Sequence, residues 1–447
     1  MDENRTDDIR TEGVRADDIR AEGVRADDIR ADDIRAEGVR ADDVWTDDVH
    51  TEDVDTVDVH TEDADTDGVP PGGAPTGEER PAPDRVQQDR PHPDDAGPRT
   101  APRPRVRPRT RRLLRIAAGL LALLLLPLLT AETALRLNYT GDPAPGTRTR
   151  HQDALWLGHA WVDGRRTDRD VEALARRLRG TGIRDLYVHA GPLEHDGTLP
   201  ASAYPKARRL IAAVHRELPG VRVQAWLGDK LASESPDGLR LERAATRAAV
   251  VTSARQILAA GFEGTHFDLE PLHSGDRDYL SLLDDLRDLT RARGAVLSVA
   301  AHQIDPLPAF HSFWGTTTGH PKWWSQAYFG QVARRVDQIA VMSYDTMQPL
   351  ESLYGGYVAQ QTSLALEVTP ESTDLLMGLP FYHENRFGHR ARAETVPAAV
   401  RGVRLGLSRT DAGRARFGVA LYVDFAATEA DWRAYREDWV ATPPTAS

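Results

Sequence analysis

From residue 154 onward, apolar residues recur in two alternating rhythms. Short runs rich in Val, Leu and aromatic residues stand at 154–161, 185–190, 221–227, 264–270, 295–302, 338–344, 375–382 and 418–425. Between them the apolar spacing lengthens to three and four, as in "DRDVEALARRLRGTGI" and "YLSLLDDLRDLTRARG", the period of a helix with one buried face. A last helical pattern, "EADWRAYREDWV", closes the chain. Eight even strand–helix units predict an α/β chain folded as a (β/α)8, or TIM, barrel over 154–440, with a short tail at 441–447. A doubly wound open sheet is the alternative, but it rarely carries eight such regular units.

The first third follows other rules. Residues 5 to 69 repeat every five, as in "RADDIRAEGVRADDIR", with one Ile or Val per unit and pairs of acids between. That leaves too little apolar surface to offset chain ordering, so residues 1–69 read as a disordered acidic tail. A five-residue β-helix would need a large apolar residue at the centre of each unit. Residues 70–112, rich in Pro, Gly and Arg, read as a linker. The stretch 113–135 then carries an uncharged run from Ile116 to Ala131, short but sufficient for a transmembrane helix. Residues 136–153 read as a second linker.

Seven arginines lie between Arg103 and Arg115, while only Arg136, Arg148 and Arg150 follow closely. The positive-inside rule therefore predicts a single-pass signal anchor, N-terminus cytoplasmic and barrel outside the cell membrane. A cleaved signal peptide is the competing reading. It requires a start near Val106, because about 110 residues are far too many for a leader's first region.

Composition narrows the chemistry. The chain has no cysteine, which excludes disulfide scaffolds, cysteine nucleophiles and cysteine metal sites. The net charge of −13 is uneven: residues 1–69 hold 25 acids against 8 arginines, residues 70–115 hold 6 acids against 11 arginines, and the remainder is −1. A near-neutral barrel has no nucleic-acid footprint. The chain is expected to be monomeric and to use no cofactor or metal.

In a barrel of this kind the functional site lies at the C-terminal ends of the strands. Polar and aromatic residues collect there: His159 and Trp161, His189, Trp226 and Asp229, Asp268 and Glu270, His302 and Gln303, Tyr344 and Asp345, Tyr382 and Glu384, Tyr422 and Asp424. The stretch "GFEGTHFDLEP" is the densest. Side chains two apart in a strand share a face, so His266, Asp268 and Glu270 form a polar column while Thr265, Phe267 and Leu269 face the other way. A carboxylate beside another disfavours a second negative charge, so the pair Asp268 and Glu270 suits one protonated acid. The long loop from His302 to Trp324 holds Phe310, Phe313, Trp314, Trp323 and Trp324, and reads as a binding wall or as a cover over the barrel mouth.

Three segments, in order, resemble the family 18 glycoside hydrolases, the chitinase-like barrels. "EGTHFDLE", Glu263 to Glu270, is similar to the fourth-strand motif D-G-x-D-x-D-x-E. "MSYD", Met342 to Asp345, matches M-x-Y-D of the sixth strand, and "GLPFY", Gly378 to Tyr382, matches G-x-P-F-Y of the seventh. The resemblance spans roughly 154–440. It implies Glu270 as general acid and Asp268 as the group that orients the substrate's N-acetyl group, which itself attacks the anomeric carbon. Tyr344 would hydrogen-bond the N-acetyl oxygen, and Asp345 would hold the distorted sugar. Trp161, Trp226, His266, Gln303, Tyr382 and Tyr422 complete the expected binding surface. The implied substrate is a β-linked, N-acetylglucosamine-containing polysaccharide or oligosaccharide.

The chain departs from that pattern in three places. Glu263 replaces the first Asp. His266 replaces the middle Asp, where a neutral imidazole would hydrogen-bond Asp268 and an imidazolium would hold it ionised. Tyr422 stands where a Trp usually floors the subsite that is cleaved. Other readings remain open: a retaining pair of Glu270 and Glu384, a metal hydrolase built on His159, His189, His266 and His302, and a barrel that binds glycans without cleaving them.

Overall fold

The computed structural model describes residues 108–441, except 234, 319 and 387. The acidic tail 1–69, most of the first linker and the tail 442–447 lie outside the described residues. The chain divides into two compact units, with the boundary between Leu128 and Leu129.

A helix, α1 (Pro108–Asn138), opens the described chain. It is long and apolar enough to cross a membrane over Arg115–Asn138. Eight parallel strands follow: β1 (Asp153–Leu157), β2 (Ile183–Pro192), β3 (Arg222–Lys230), β4 (Gly264–Glu270), β5 (Val296–Ala301), β6 (Gln338–Val341), β7 (Asp374–Pro380) and β8 (Phe417–Tyr422). They close on themselves, each paired with its neighbours in sequence and β8 with β1. The chain folds as a TIM barrel.

A helix follows each strand: α2 (Asp168–Leu178), α3 (Ala207–Glu217), α4 (Ala244–Ala260), α5 (Arg277–Arg293), α6 (Gln326–Ala333), α7 (Glu351–Val368), α8 (Val396–Thr410) and α9 (Glu429–Ala434). Local chemistry sets several starts. Thr167 with Asp170 and Thr428 with Asp431 form reciprocal capping boxes before α2 and α9, while Asp276, Ser325 and Thr395 each cap a helix through a side-chain oxygen. Each such cap satisfies amides that would otherwise be orphaned, about 1 kcal/mol apiece. Outward strand residues such as Phe267, Leu269, Val299 and Leu379 are buried against this helical shell, each side chain contributing about 1.5–3 kcal/mol.

Inside the barrel the side chains change character with height. At the N-terminal end Asp185 is gripped by Arg222 through two bonds of 2.7 Å and by Gln224 and Gln338. The middle holds Trp156, Tyr187 and His266. The C-terminal end holds Trp226, Asp268, Tyr344, Tyr382 and Tyr422.

The segment expected as a second linker is strapped to the barrel. Arg409 donates to the carbonyls of Asn138 and Thr140, Arg401 to Gly141 and Arg404 to Thr147. At Gly356 of α7 a Cβ would lie on the Leu135 carbonyl, and at Gly355 on the Tyr139 ring. The glycine pair therefore makes room for the end of α1. This is a tertiary contact, invisible to a composition-based linker reading.

Candidate active site

Asp268 and Glu270 close β4, one pleat apart. Both face the barrel mouth, but their surroundings differ. Asp268 is buried. Its Oδ2 accepts the Trp226 indole N–H at 3.0 Å, while its Oδ1 is buried with no hydrogen-bond partner in the protein. Burial raises the carboxyl to about 6, and the indole bond pulls the other way. Glu270 is partly exposed, with Oε1 3.8 Å from His302 Nε2. That nitrogen accepts the backbone N–H of Leu272 at 3.1 Å, so it carries a lone pair, and burial lowers the imidazole to about 3. His302 is thus a neutral neighbour that pins the loop leaving Glu270.

His266 lies on the expected face of β4, but it does not reach Asp268. Its Nε2 accepts the Trp156 indole N–H at 3.2 Å, and its Nδ1 lies 2.8 Å from Ser298 Oγ. The ring stacks on Tyr187 at 3.8 Å between centroids. With both nitrogens engaged and burial lowering its pKa to about 3, His266 stays neutral. It carries neither the hydrogen bond to Asp268 nor the imidazolium that its position in the motif suggests.

Tyr344 and Tyr422 face the carboxylates from the segment after β6 and from the end of β8. Their rings stack at 5.2 Å and 22°. The Tyr344 phenol is pushed well above its ordinary value by burial, then by Tyr422, Asp268, Asp345 and Glu270. It remains a proton donor throughout the physiological range. Its place depends on Gly378 of β7, where a Cβ would lie 2.8 Å from the Tyr344 ring. That explains the glycine in "GLPFY". Tyr382 meets Tyr344 edge-on at 5.8 Å and donates its hydroxyl to Asp345 Oδ1 at 2.6 Å.

Two expected binding residues are placed elsewhere. Strand β1 ends at Leu157 rather than 161, because Gly158 donates its N–H to Asp424 Oδ1 and the chain turns into a short helix, Ala160–Asp163. Trp161 on that helix donates to Asp424 Oδ2 at 2.8 Å. It lines a lateral pocket of about 250 Å³ with Arg166, Arg177 and Phe425, outside the aromatic cluster around Tyr344. The amide nitrogen of Gln303 is committed to the carbonyls of Met342 and Tyr344, and its oxygen to the Tyr357 hydroxyl. Gln303 therefore fixes the end of β6 instead of facing a ligand.

The aromatic loop divides similarly. Trp323 and Trp324 are buried, and the Trp324 indole donates to the Leu272 carbonyl beside Glu270. Phe313, on the short helix Phe310–Thr318, is 63% exposed. Glu384 is exposed on the loop after β7. Among the described residues, His159, His189, His266 and His302 do not gather into a group able to share one ion.

The residues that sequence reasoning passed over belong to the loop after β7. His389 and Glu394 are buried beside Asp345, with His389 Nδ1 3.1 Å from Asp345 Oδ1 and 3.2 Å from Glu394 Oε2. Arg386 reaches Asp345 Oδ2 at 2.9 Å. No short motif marks these residues.

Comparison with family models and with curated proteins finds no match. Among solved structures, the spore cortex-lytic enzyme SleL of Bacillus megaterium is similar at 11% identity and a TM-score of 0.46, over 65% of this chain and 75% of that one. A chitinase from Chromobacterium violaceum is similar at 12% identity and a TM-score of 0.46, over 64% and 98%. A group IV chitinase of Ostrinia furnacalis reaches 18% identity and a TM-score of 0.36, over 52% and 66%.

Proposed function

We propose that the chain is a membrane-anchored glycoside hydrolase that cleaves β-linked glycans containing N-acetylglucosamine, with the substrate's own acetamide as nucleophile. One observation carries the reading: Asp268 Oδ1 is buried and unpartnered, while Oδ2 is held by Trp226. A buried carboxylate oxygen without a donor costs free energy. An acetamide N–H from a bound sugar would satisfy it.

The chemistry then divides among named atoms. Glu270 gives its proton to the glycosidic oxygen as the bond to the anomeric carbon breaks. The acetamide oxygen forms a bond to that carbon, and the resulting ring carries a positive charge. Asp268, accepting the N–H, stabilises that charge through Oδ1. Tyr344, kept protonated by burial, donates to the acetamide oxygen and helps to orient it. Water then opens the ring, with Glu270 taking back a proton. Asp345, clamped by Tyr382 and Arg386, holds the sugar's far side. No enzyme nucleophile is needed at β7, consistent with the exposure of Glu384.

The arginine cluster before Ile116 supports a cytoplasmic N-terminus and an extracytoplasmic barrel. The reading is tested by incubating the full-length protein with matched N-acetylated and de-acetylated β-glycans and analysing the products. Turnover confined to the acetylated form is expected. Equal turnover of both would reject acetamide participation, and none with either would favour a glycan-binding barrel.

A further inference from the structure

Asp345, in the segment that leaves β6, has an unusual backbone. Its φ is +56°, and Met347 two residues on is at +60°. A non-glycine residue in the left-handed region costs about 1 kcal/mol or more and persists only where its surroundings fix it. Here the fixing comes from outside β6. Lys322 Nζ donates to the Asp345 carbonyl at 2.8 Å, and Met347 N–H donates to the Gly388 carbonyl at 2.7 Å. Glu394 Oε1 accepts both the N–H and the hydroxyl of Thr346, at 2.9 and 3.2 Å. The other oxygen of Glu394 faces His389 Nδ1, which also faces Asp345 Oδ1.

His389 and Glu394 are both buried. A neutral histidine there would leave Asp345, 24% exposed, paired with Arg386, and the fully buried carboxylate of Glu394 against the uncharged Thr346. A protonated one balances Asp345 and Glu394 against Arg386 and His389. Burying an unpaired charge is expensive, and a balanced cluster avoids that cost. The groups facing His389 are Asp345 after β6, Tyr382 just past β7 with its ring 4.3 Å away, and Glu394 of the same loop, while Arg386 pairs with the other oxygen of Asp345. Tyr354 of α7 lies behind Glu394, its hydroxyl on the Ser343 carbonyl.

We infer that His389, seated on Glu394, is a buried imidazolium that positions Asp345 against the substrate. It acts through Asp345 and does not touch the sugar, and the inference rests on the glycosidase reading for its effect on rate. The two nearby carboxylates favour the protonated ring, raising its pKa to about 9 despite the opposing effect of burial. The folded pKa lies above the ordinary 6.5, so this contribution to stability is complete below pH 6.5. It is lost as pH rises through about 9. The same three residues are close enough to share a cation. Tyr382 and Arg386 already donate to Asp345, which favours the imidazolium over a metal ion.

The test uses full-length protein in detergent micelles, labelled with 13C at histidine. One imidazole signal, missing in His389→Gln, is expected to titrate near pH 9 and to fall by at least one pH unit in Glu394→Gln. A signal titrating at or below 6.5 overturns the inference. So does a stoichiometric metal ion, found by elemental analysis of the wild type and lost in either variant. These readouts need no turnover, so they decide the point even if the glycosidase reading fails. With an aryl β-N,N′-diacetylchitobioside as probe, His389→Gln is expected to lower kcat/KM about tenfold, chiefly through kcat. Arg392→Gln, exposed on the same loop, should match the wild type. An active wild type with His389→Gln equally active would contradict the positioning role.

Discussion

The indole of Trp226 on β3 donates to Asp268 Oδ2 on β4 at 3.0 Å, leaving the other oxygen of that carboxylate for whatever enters the barrel. The register pairs Trp226 with His266 and Gly228 with Asp268. The indole therefore leans one pleat toward the mouth to reach its acceptor. Gly228, with no side chain, stands opposite Asp268. A single neutral donor thus tunes Asp268 against the burial that would neutralise it.

Removing that donor has a predictable sign. Trp226→Phe keeps the apolar bulk but lets burial raise Asp268 further above about 6. A hydrogen bond to a charged group is worth about 1.5–3 kcal/mol, so the shift should be about one pH unit or more. In the proposed mechanism Asp268 acts as a carboxylate on the cyclised intermediate, so the acidic limb of the pH–rate profile should move to higher pH. A profile that keeps its acidic limb in Trp226→Phe would show that Asp268 does not set it.

His266 should behave differently. Its ring is held by Trp156, Ser298 and Tyr187 and is neutral across the working range. His266→Ala removes a buried ring and strands two polar partners, so stability should fall by about 2–4 kcal/mol in thermal or denaturant unfolding. The acidic limb should stay where it is. A shifted limb would assign His266 a titrating role that its hydrogen bonds argue against.

These two residues mark where the sequence was legible. The barrel was readable because strand and helix periods alternate eight times, and the His266–Asp268–Glu270 column because strand side chains repeat every two residues. What His266 bonds to was not readable: its partners come from β1, β2 and β5, distant in sequence. Trp161 was misplaced because Asp424, more than 260 residues later, ends β1 early. Gln303 stands at a strand end as an expected binding residue, but its amide turns onto the segment that leaves β6. His389 and Glu394 sit in a loop with no periodic pattern, and their importance is visible only beside Asp345.

Gly378 carries a prediction of its own. An added Cβ would lie 2.8 Å from both the Tyr344 ring and the Val341 carbonyl. Gly378→Ala should displace Tyr344 and lower kcat by about tenfold or more, with a smaller effect on melting temperature. Unchanged kcat would mean that Tyr344 does not need its present position.

The central claim is that Asp268 and the substrate's acetamide act together while Glu270 supplies the proton. The most direct measurement is kcat of the full-length wild type, Glu270→Gln, Asp268→Asn and Glu384→Gln on one N-acetylated β-glycan and its de-acetylated counterpart. General acid catalysis is typically worth about 10²–10⁴ in rate. The expected result is a loss of that order for Glu270→Gln, a severe loss for Asp268→Asn, little change for Glu384→Gln, and no wild-type turnover of the de-acetylated glycan. Full-rate cleavage of the de-acetylated glycan, or inactivation by Glu384→Gln with Asp268→Asn unharmed, would contradict the account.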